Sequence, residues 1–253
     1  MTAAASSRVV LVTGGARGLG RGLADAFAAN GDQVVACGRT QPDEGALTAP
    51  FLSCDVRDPK QVAVLVDQIV DQYGRLDVCV NNAGGAPYAP AATMSPRLFE
   101  RIIALNLCGA FYVAQRANAV MQGQESGGVI LNIGSAIAIR PAPGSAPYTA
   151  AKAGLVGLTR GLAIEWAPKV RVNLVSPGLL RTELVRETYG DNVAAVEATV
   201  PMARMAGPAD VAAACLMLTA PGLAYVTGAE LIVDGGGEQP AWLVAAQSKG
   251  DQG

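Results

Sequence analysis

A chain of 253 residues that is 51% hydrophobic and 16% charged has material for a large core. Its formal net charge of −2 argues against a general affinity for nucleic acid or anionic membranes, and the low charge content points to surface buried between subunits. Histidine is absent, which removes the commonest general acid/base and argues against a zinc site or any other metal centre.

In chain order, Arg8–Thr13 predicts a short buried strand. The turn Thr13-Gly14-Gly15-Ala16-Arg17-Gly18-Leu19-Gly20 follows and opens a helix over Leu19–Asn30. That strand–turn–helix setting suits a pyrophosphate: glycines let the backbone approach, and free amides of a helix N-terminus face negative charge. Arg21 and Gly22 follow Gly20 where a Walker A loop needs Lys and Ser/Thr, and the G-x-G-x-x-G spacing also fails. Gln33–Cys37 is the second strand. It ends in Gly38-Arg39-Thr40, with no carboxylate for a ribose 2′-hydroxyl. Arg39, with Arg17 as a second cation, favours a 2′-phosphate and hence NADP(H) over NAD(H). The competing reading leaves both arginines solvated and brings Asp43 or Glu44 back to the ribose. Pro42, Gly45 and Pro50 predict a stunted connection to the third strand, Phe51–Cys54.

Asp55 and Val56 come next, then a helix over Pro59–Tyr73 and a fourth strand, Leu76–Val80, ending in Asn81-Asn82-Ala83-Gly84. One long helical stretch is predicted from about Ser95 to Met121. Gly128–Ile133 forms the fifth strand, Pro147–Trp166 a helix with proline at its first position, and Val170–Val175 the sixth strand. Pro208–Leu218 and Ala229–Val233 complete the alternation. Short apolar strands alternating with helices predict an α/β, doubly wound parallel sheet of about seven strands with helices on both faces. We expect one domain over residues 1–253, a lid over about 179–205 and a loose tail over about 238–253. Met1 to Ser7 is too short and polar for a signal peptide, no apolar run approaches membrane-spanning length, and five cysteines without C-x-x-C spacing suit reduced core thiols. A cytoplasmic protein is the expectation.

Tyr148 and Lys152 stand four residues apart, so they share one helix face. A cation beside a phenol lowers its pKa from about 10 towards the working range, which would make the tyrosine a usable proton carrier. The apolar run Ala136–Ile139 and the predicted lid suggest an apolar pocket, with Arg140, Arg181 and Arg186 as a solvated rim or as partners for a substrate anion.

These motifs together resemble the single-domain branch of the short-chain dehydrogenase/reductase family, of the 3-oxoacyl reductase type, from about Val9 to Gly236. The resemblance implies a Rossmann-type sheet and a nicotinamide dinucleotide held by Gly14, Arg17, Gly18, Leu19, Gly20, Arg39, Asp55, Val56, Asn82, Ala83 and Gly84. Tyr148, Lys152, Pro177, Gly178 and Thr182 would meet its nicotinamide half. It implies Ser135 as the group that binds the substrate oxygen, Tyr148 as proton carrier, Lys152 as the residue that tunes it, and Asn106 as anchor of a relay water. The expected reaction is interconversion of an apolar ketone and its secondary alcohol with NADP(H). An NAD-dependent alcohol or hydroxysteroid dehydrogenase is the alternative within enzymes, and a non-catalytic nucleotide-binding regulator the alternative outside them. The family also implies a homotetramer, or failing that a dimer.

Overall fold

Seven parallel strands in the order β3-β2-β1-β4-β5-β6-β7 form the single sheet of the computed structural model, which describes residues 7–43, 45–183, 185 and 189–239. The strands are β1 (Val9–Thr13), β2 (Gln33–Gly38), β3 (Phe51–Ser53), β4 (Val78–Asn81), β5 (Gly128–Ile133), β6 (Val170–Pro177) and β7 (Glu230–Val233). Alternate side chains leave each strand on opposite faces, so each face carries its own core. Leu11, Val35, Ile130 and Val172 pack with Leu65, Ile69, Val113 and Met121 on one side. Val10, Val12, Leu131 and Val175 pack with Leu23, Phe27, Val211 and Leu218 on the other. The strand order reverses between β1 and β4, and that switch opens a crevice beyond their carboxyl ends.

The helices begin where local chemistry ends the preceding loop. Helix α1 spans Gly18–Ala29. In α2 (Pro59–Tyr73) the Asp58 carboxylate accepts from the Lys60 N–H, Pro59 occupies the first turn, and Gly74 closes the helix at φ 74°. Ser95 caps α3 (Pro96–Ile103) through the Leu98 N–H at 3.2 Å. A π-helical turn, Ala104–Cys108, separates α3 from α4 (Gly109–Gly123). The sequence predicts one uninterrupted helix here. It breaks because the Asn106 amide takes the Ile102 carbonyl, four residues back, at 2.9 Å, so a side chain stands in the backbone ladder. Helix α5 (Ala146–Trp166) starts one residue earlier than predicted, with Pro147 second. The short α6 (Val193–Glu197) and α7 (Pro208–Thr219) follow, and Asp210 accepts from the Gly207 N–H at 2.7 Å to fix the start of α7. No helix lies between β2 and β3 among the described residues, as the prolines there predict. Residues 1–6, Glu44, Arg186 and the predicted tail beyond residue 239 lie outside the described residues. None of the described helices is long and apolar enough to cross a membrane.

Two adjacent strands meet through a buried amide ladder that reaches both long helices. Asn81 donates to the Asn132 side chain at 2.9 Å and to the Ala110 carbonyl of α4 at 3.1 Å. Asn132 in turn donates to Thr159 of α5 at 2.9 Å. Asn132→Ala strips a partner from two buried groups, so it should cost about 2–4 kcal/mol, read as a lower urea midpoint. A loss under about 1 kcal/mol would show the ladder to be energetically idle. All five cysteines are free thiols, and Cys37, Cys54, Cys79 and Cys215 are buried.

Candidate active site

The glycine turn is held from behind by the loop after β4. Thr13 Oγ1 accepts from the N–H groups of Asn82 and Ala83, each at 3.0 Å, and Asn82 Nδ2 donates to the Thr13 carbonyl at 2.9 Å. Only glycine fits at position 20, because a Cβ there would lie 2.0 Å from the Gly14 carbonyl oxygen. The turn therefore runs tightly into α1 and leaves a groove of about 720 Å³ in front of it. Gly14, Arg17, Gly18, Leu19 and Gly20 line that groove on one side, and Asn82, Ala83 and Gly84 on another. Arg39, Asp55 and Val56 close its far end, as the sequence predicts, and Asp43 also faces it. Arg17 and Arg39 are exposed. Asp55 is engaged by Arg57, with Nε 2.9 Å from Oδ1, and that pairing holds its carboxyl below the usual range. Lined by the glycine turn and flanked by two cations, the groove has the volume and the donors to take a dinucleotide.

A second cavity, of about 350 Å³, adjoins the groove. Leu19, Asn82, Gly84 and Thr182 line both spaces. Ser135 at the end of β5, Tyr148 and Lys152 from α5, and Pro177 and Gly178 at the end of β6 all face this cavity. Ser135 Oγ accepts from the Ile137 N–H at 3.2 Å. Lys152 is 3% exposed; its ammonium donates to the Ile133 carbonyl at 2.7 Å and sits 5.6 Å from the centre of the Tyr148 ring.

The electrostatics differ from the sequence expectation. Burial pushes the Tyr148 hydroxyl above its ordinary value, and a hydrogen bond from the Ser135 side chain only partly opposes it. Lys152 does not drag the phenol down, because burial pulls its own pKa down to about 8 and its ammonium is turned to a backbone carbonyl. Tyr148 is thus a neutral phenol at neutral pH.

Asn106, predicted beside the site, lines neither space. It is 1% exposed behind Gly84 and Gly85. Both its amide hydrogens are used, on the carbonyls of Gly85 and Ile102, and its oxygen accepts from the Gly85 N–H at 2.8 Å. Only spare acceptor capacity remains for a relay water. A Cβ on Gly84 would lie 2.7 Å from that oxygen and 3.4 Å from the Lys152 nitrogen, so glycine is required where this loop passes between the two side chains.

On the substrate side two expectations change. Arg140 is clamped by Asp234 and Glu238, and Arg181 by Glu197, so neither is a free anion receptor. The third arginine, Arg186, lies outside the described residues. Val185 and Tyr189 line the cavity and went unpredicted, as the segment after Gly178 carries no periodic signal.

A family profile described as Enoyl-(Acyl carrier protein) reductase matches residues 14–238. A short-chain type dehydrogenase/reductase of Sinorhizobium fredii is 38% identical over 257 residues; the match covers 96% of this chain but only 45% of that protein. 3beta-Hydroxysteroid dehydrogenase 1 of Eggerthella lenta is 37% identical, with 90% of this chain and 93% of the relative aligned. The ligand-free structure of an aldohexose dehydrogenase from Thermoplasma acidophilum superposes with a TM-score of 0.87 at 33% identity, over 91% of this chain and 93% of that one.

Proposed function

This chain belongs to the short-chain dehydrogenase/reductase family and is an oxidoreductase of alcohol and carbonyl groups; from that premise we propose an NADP(H)-dependent enzyme that interconverts an uncharged, largely apolar ketone and its secondary alcohol. The observation that carries the reading is the junction of two spaces. A phenol, a hydroxyl and an amine converge in one cavity, and four residues of its wall also belong to the glycine-lined groove.

When bound, the nicotinamide supplies or accepts the hydride; the protein supplies orientation and proton handling. Ser135 would hydrogen-bond the substrate oxygen where negative charge develops. Tyr148, held neutral by burial, would hand its hydroxyl proton to that oxygen in reduction and take it back in oxidation. Lys152 would bind the ribose next to the nicotinamide and, once its ammonium leaves the Ile133 carbonyl, stabilise the phenolate left behind. Asn106 would shape the Gly84–Gly85 bend between helix and cofactor and offer its remaining lone pair to a water. Pro177, Gly178 and Thr182 would line the nicotinamide side of the pocket.

The satisfied states of Arg140 and Arg181 support an uncharged substrate over a carboxylate or phosphate-bearing one. Exposed Ile164, Met217, Tyr225 and Ile232 on α5, α7, the loop before β7 and β7 itself support association into an oligomer, for which a homotetramer is our reading.

A panel of neutral ketones and alcohols assayed with both nicotinamides tests the reaction. Turnover of none of them would overturn the proposal. For the cofactor, Arg39→Ala should raise the Kd for NADPH by about tenfold or more and change that for NADH by less than about twofold, since a charged phosphate hydrogen bond is worth roughly 1.5–3 kcal/mol. Equal losses for both dinucleotides would remove Arg39 from the 2′-phosphate. A wild-type enzyme that prefers NADH would make Asp43, in the same groove, the ribose partner.

A further inference from the structure

One carboxylate of the chain sits against the start of α1. Glu183 Oε1 accepts a hydrogen bond from the Gly18 N–H at 2.7 Å, from a residue 165 positions away. Gly18 is the first residue of a twelve-residue helix whose N-cap, Arg17, provides no side-chain cap. That amide is therefore one of the donors the helix leaves without an internal partner. Positive charge surrounds the contact. The carboxyl of Glu183 is held below its ordinary range by its own N–H, by the Gly18 N–H and by the charges of Arg21 and Arg17. Glu183 also follows Thr182 directly, and Thr182 lines both the groove and the cavity.

We propose that Glu183 is a built-in stand-in for the pyrophosphate: its carboxylate satisfies the anion cradle of the free enzyme, and an arriving dinucleotide must expel it. The inference rests on the reading that the glycine groove receives a dinucleotide. Two anions cannot share one N–H donor, and beside a pyrophosphate the carboxylate would meet like charge. Expulsion hands the Gly18 amide to a phosphate oxygen and frees the segment that carries Thr182. Cofactor arrival and movement of the wall shared by both spaces are thereby one event. Apparent cofactor affinity is then lowered by the fraction of molecules in which the carboxylate holds the cradle.

The test measures Kd for NADPH, NADH and inorganic pyrophosphate with the full-length protein and three variants. Glu183→Gln removes the charge, Glu183→Ala the whole contact, and Asp25→Asn removes the charge of an exposed carboxylate on the same helix as a control. We expect both Glu183 variants to bind all three probes more tightly, by about three- to tenfold, because each removes the competition for the Gly18 amide and the repulsion of phosphate. The NADPH-to-NADH ratio should stay fixed, since both carry the same pyrophosphate. Unchanged or weaker binding overturns the proposal, as does tightening for only one dinucleotide or an equal gain from Asp25→Asn. A wild-type protein that binds neither dinucleotide would overturn the underlying cofactor reading instead.

Discussion

Tyr148→Phe should leave cofactor binding within about twofold of wild type while turnover falls about a thousandfold, the middle of the range general acid–base groups contribute. The phenylalanine keeps the ring that walls the cavity and deletes only the hydroxyl. Hydride transfer to a ketone then builds an alkoxide with no adjacent proton, and a thousandfold loss corresponds to about 4 kcal/mol of barrier. The direction of the Tyr148 shift sets the pH behaviour. Its pKa lies above the ordinary value because burial disfavours the phenolate, so the protonated form persists through neutral pH. Reduction should hold its rate below about pH 8 and fall as pH rises, first as Lys152 loses its proton and then as Tyr148 passes its raised pKa. Oxidation needs the phenolate and should climb over the same alkaline interval. Stopped-flow measurement of both directions, with dinucleotide Kd by fluorescence titration, reads all of this. Near-wild-type turnover in Tyr148→Phe would remove the residue from proton transfer and leave Ser135 to be tested in its place.

Lys152→Met should separate activity from stability in opposite directions. Turnover should fall by orders of magnitude, because the amine is the cation that stands 5.6 Å from the centre of the Tyr148 ring. The protein, however, should melt higher at pH 7. Burial pulls the lysine from 10.5 down to about 8, a difference worth roughly 3 kcal/mol against the folded state. The sign follows from which state binds the proton better. Below about pH 8 the amine is charged in both states and the folded state bears the whole penalty. Between about 8 and 10.5 the folded protein releases the proton first and the penalty fades. Above 10.5 none remains. Methionine fills a similar volume without the charge, but leaves the Ile133 carbonyl without its donor at a cost of about 1 kcal/mol. The net gain of about 2 kcal/mol corresponds to a melting temperature higher by about 5 °C at pH 7, shrinking towards pH 10. Calorimetry across pH decides it. A variant that melts lower at pH 7 would mean that the ammonium stabilises the folded chain.

Most of the scaffold was legible because its signals are local. Strand β5 and helix α2 fall within the predicted limits, one bounded by glycine and apolar β-branched residues, the other by Asp58-Pro59 and Gly74. The glycine turn, Asn82-Ala83-Gly84 and the Tyr148–Lys152 pair also converge as their order along the chain implies. What stayed hidden depends on contacts distant in sequence. The grip of Asn106 on Gly85 has no local signature, as it depends on a loop twenty-one residues away, and the π-helical turn accompanies that side chain's second bond, to the Ile102 carbonyl. Arg140 reads as a free cation until the fold brings Asp234 and Glu238 onto it. Lys152 reads as a tuner of its neighbour until burial is known, and burial then decides the sign of both shifts.

The buried thiols give this protein an internal reporter. Cys79 and Cys215 are pushed up to about 12 by burial, so in the native state they are almost wholly protonated and shielded from alkylating reagents. Cys79 belongs to β4, in the centre of the sheet, whereas Cys215 sits on α7 against its opposite face. Timed modification followed by mass spectrometry would count how often each layer breathes open, without any engineered label.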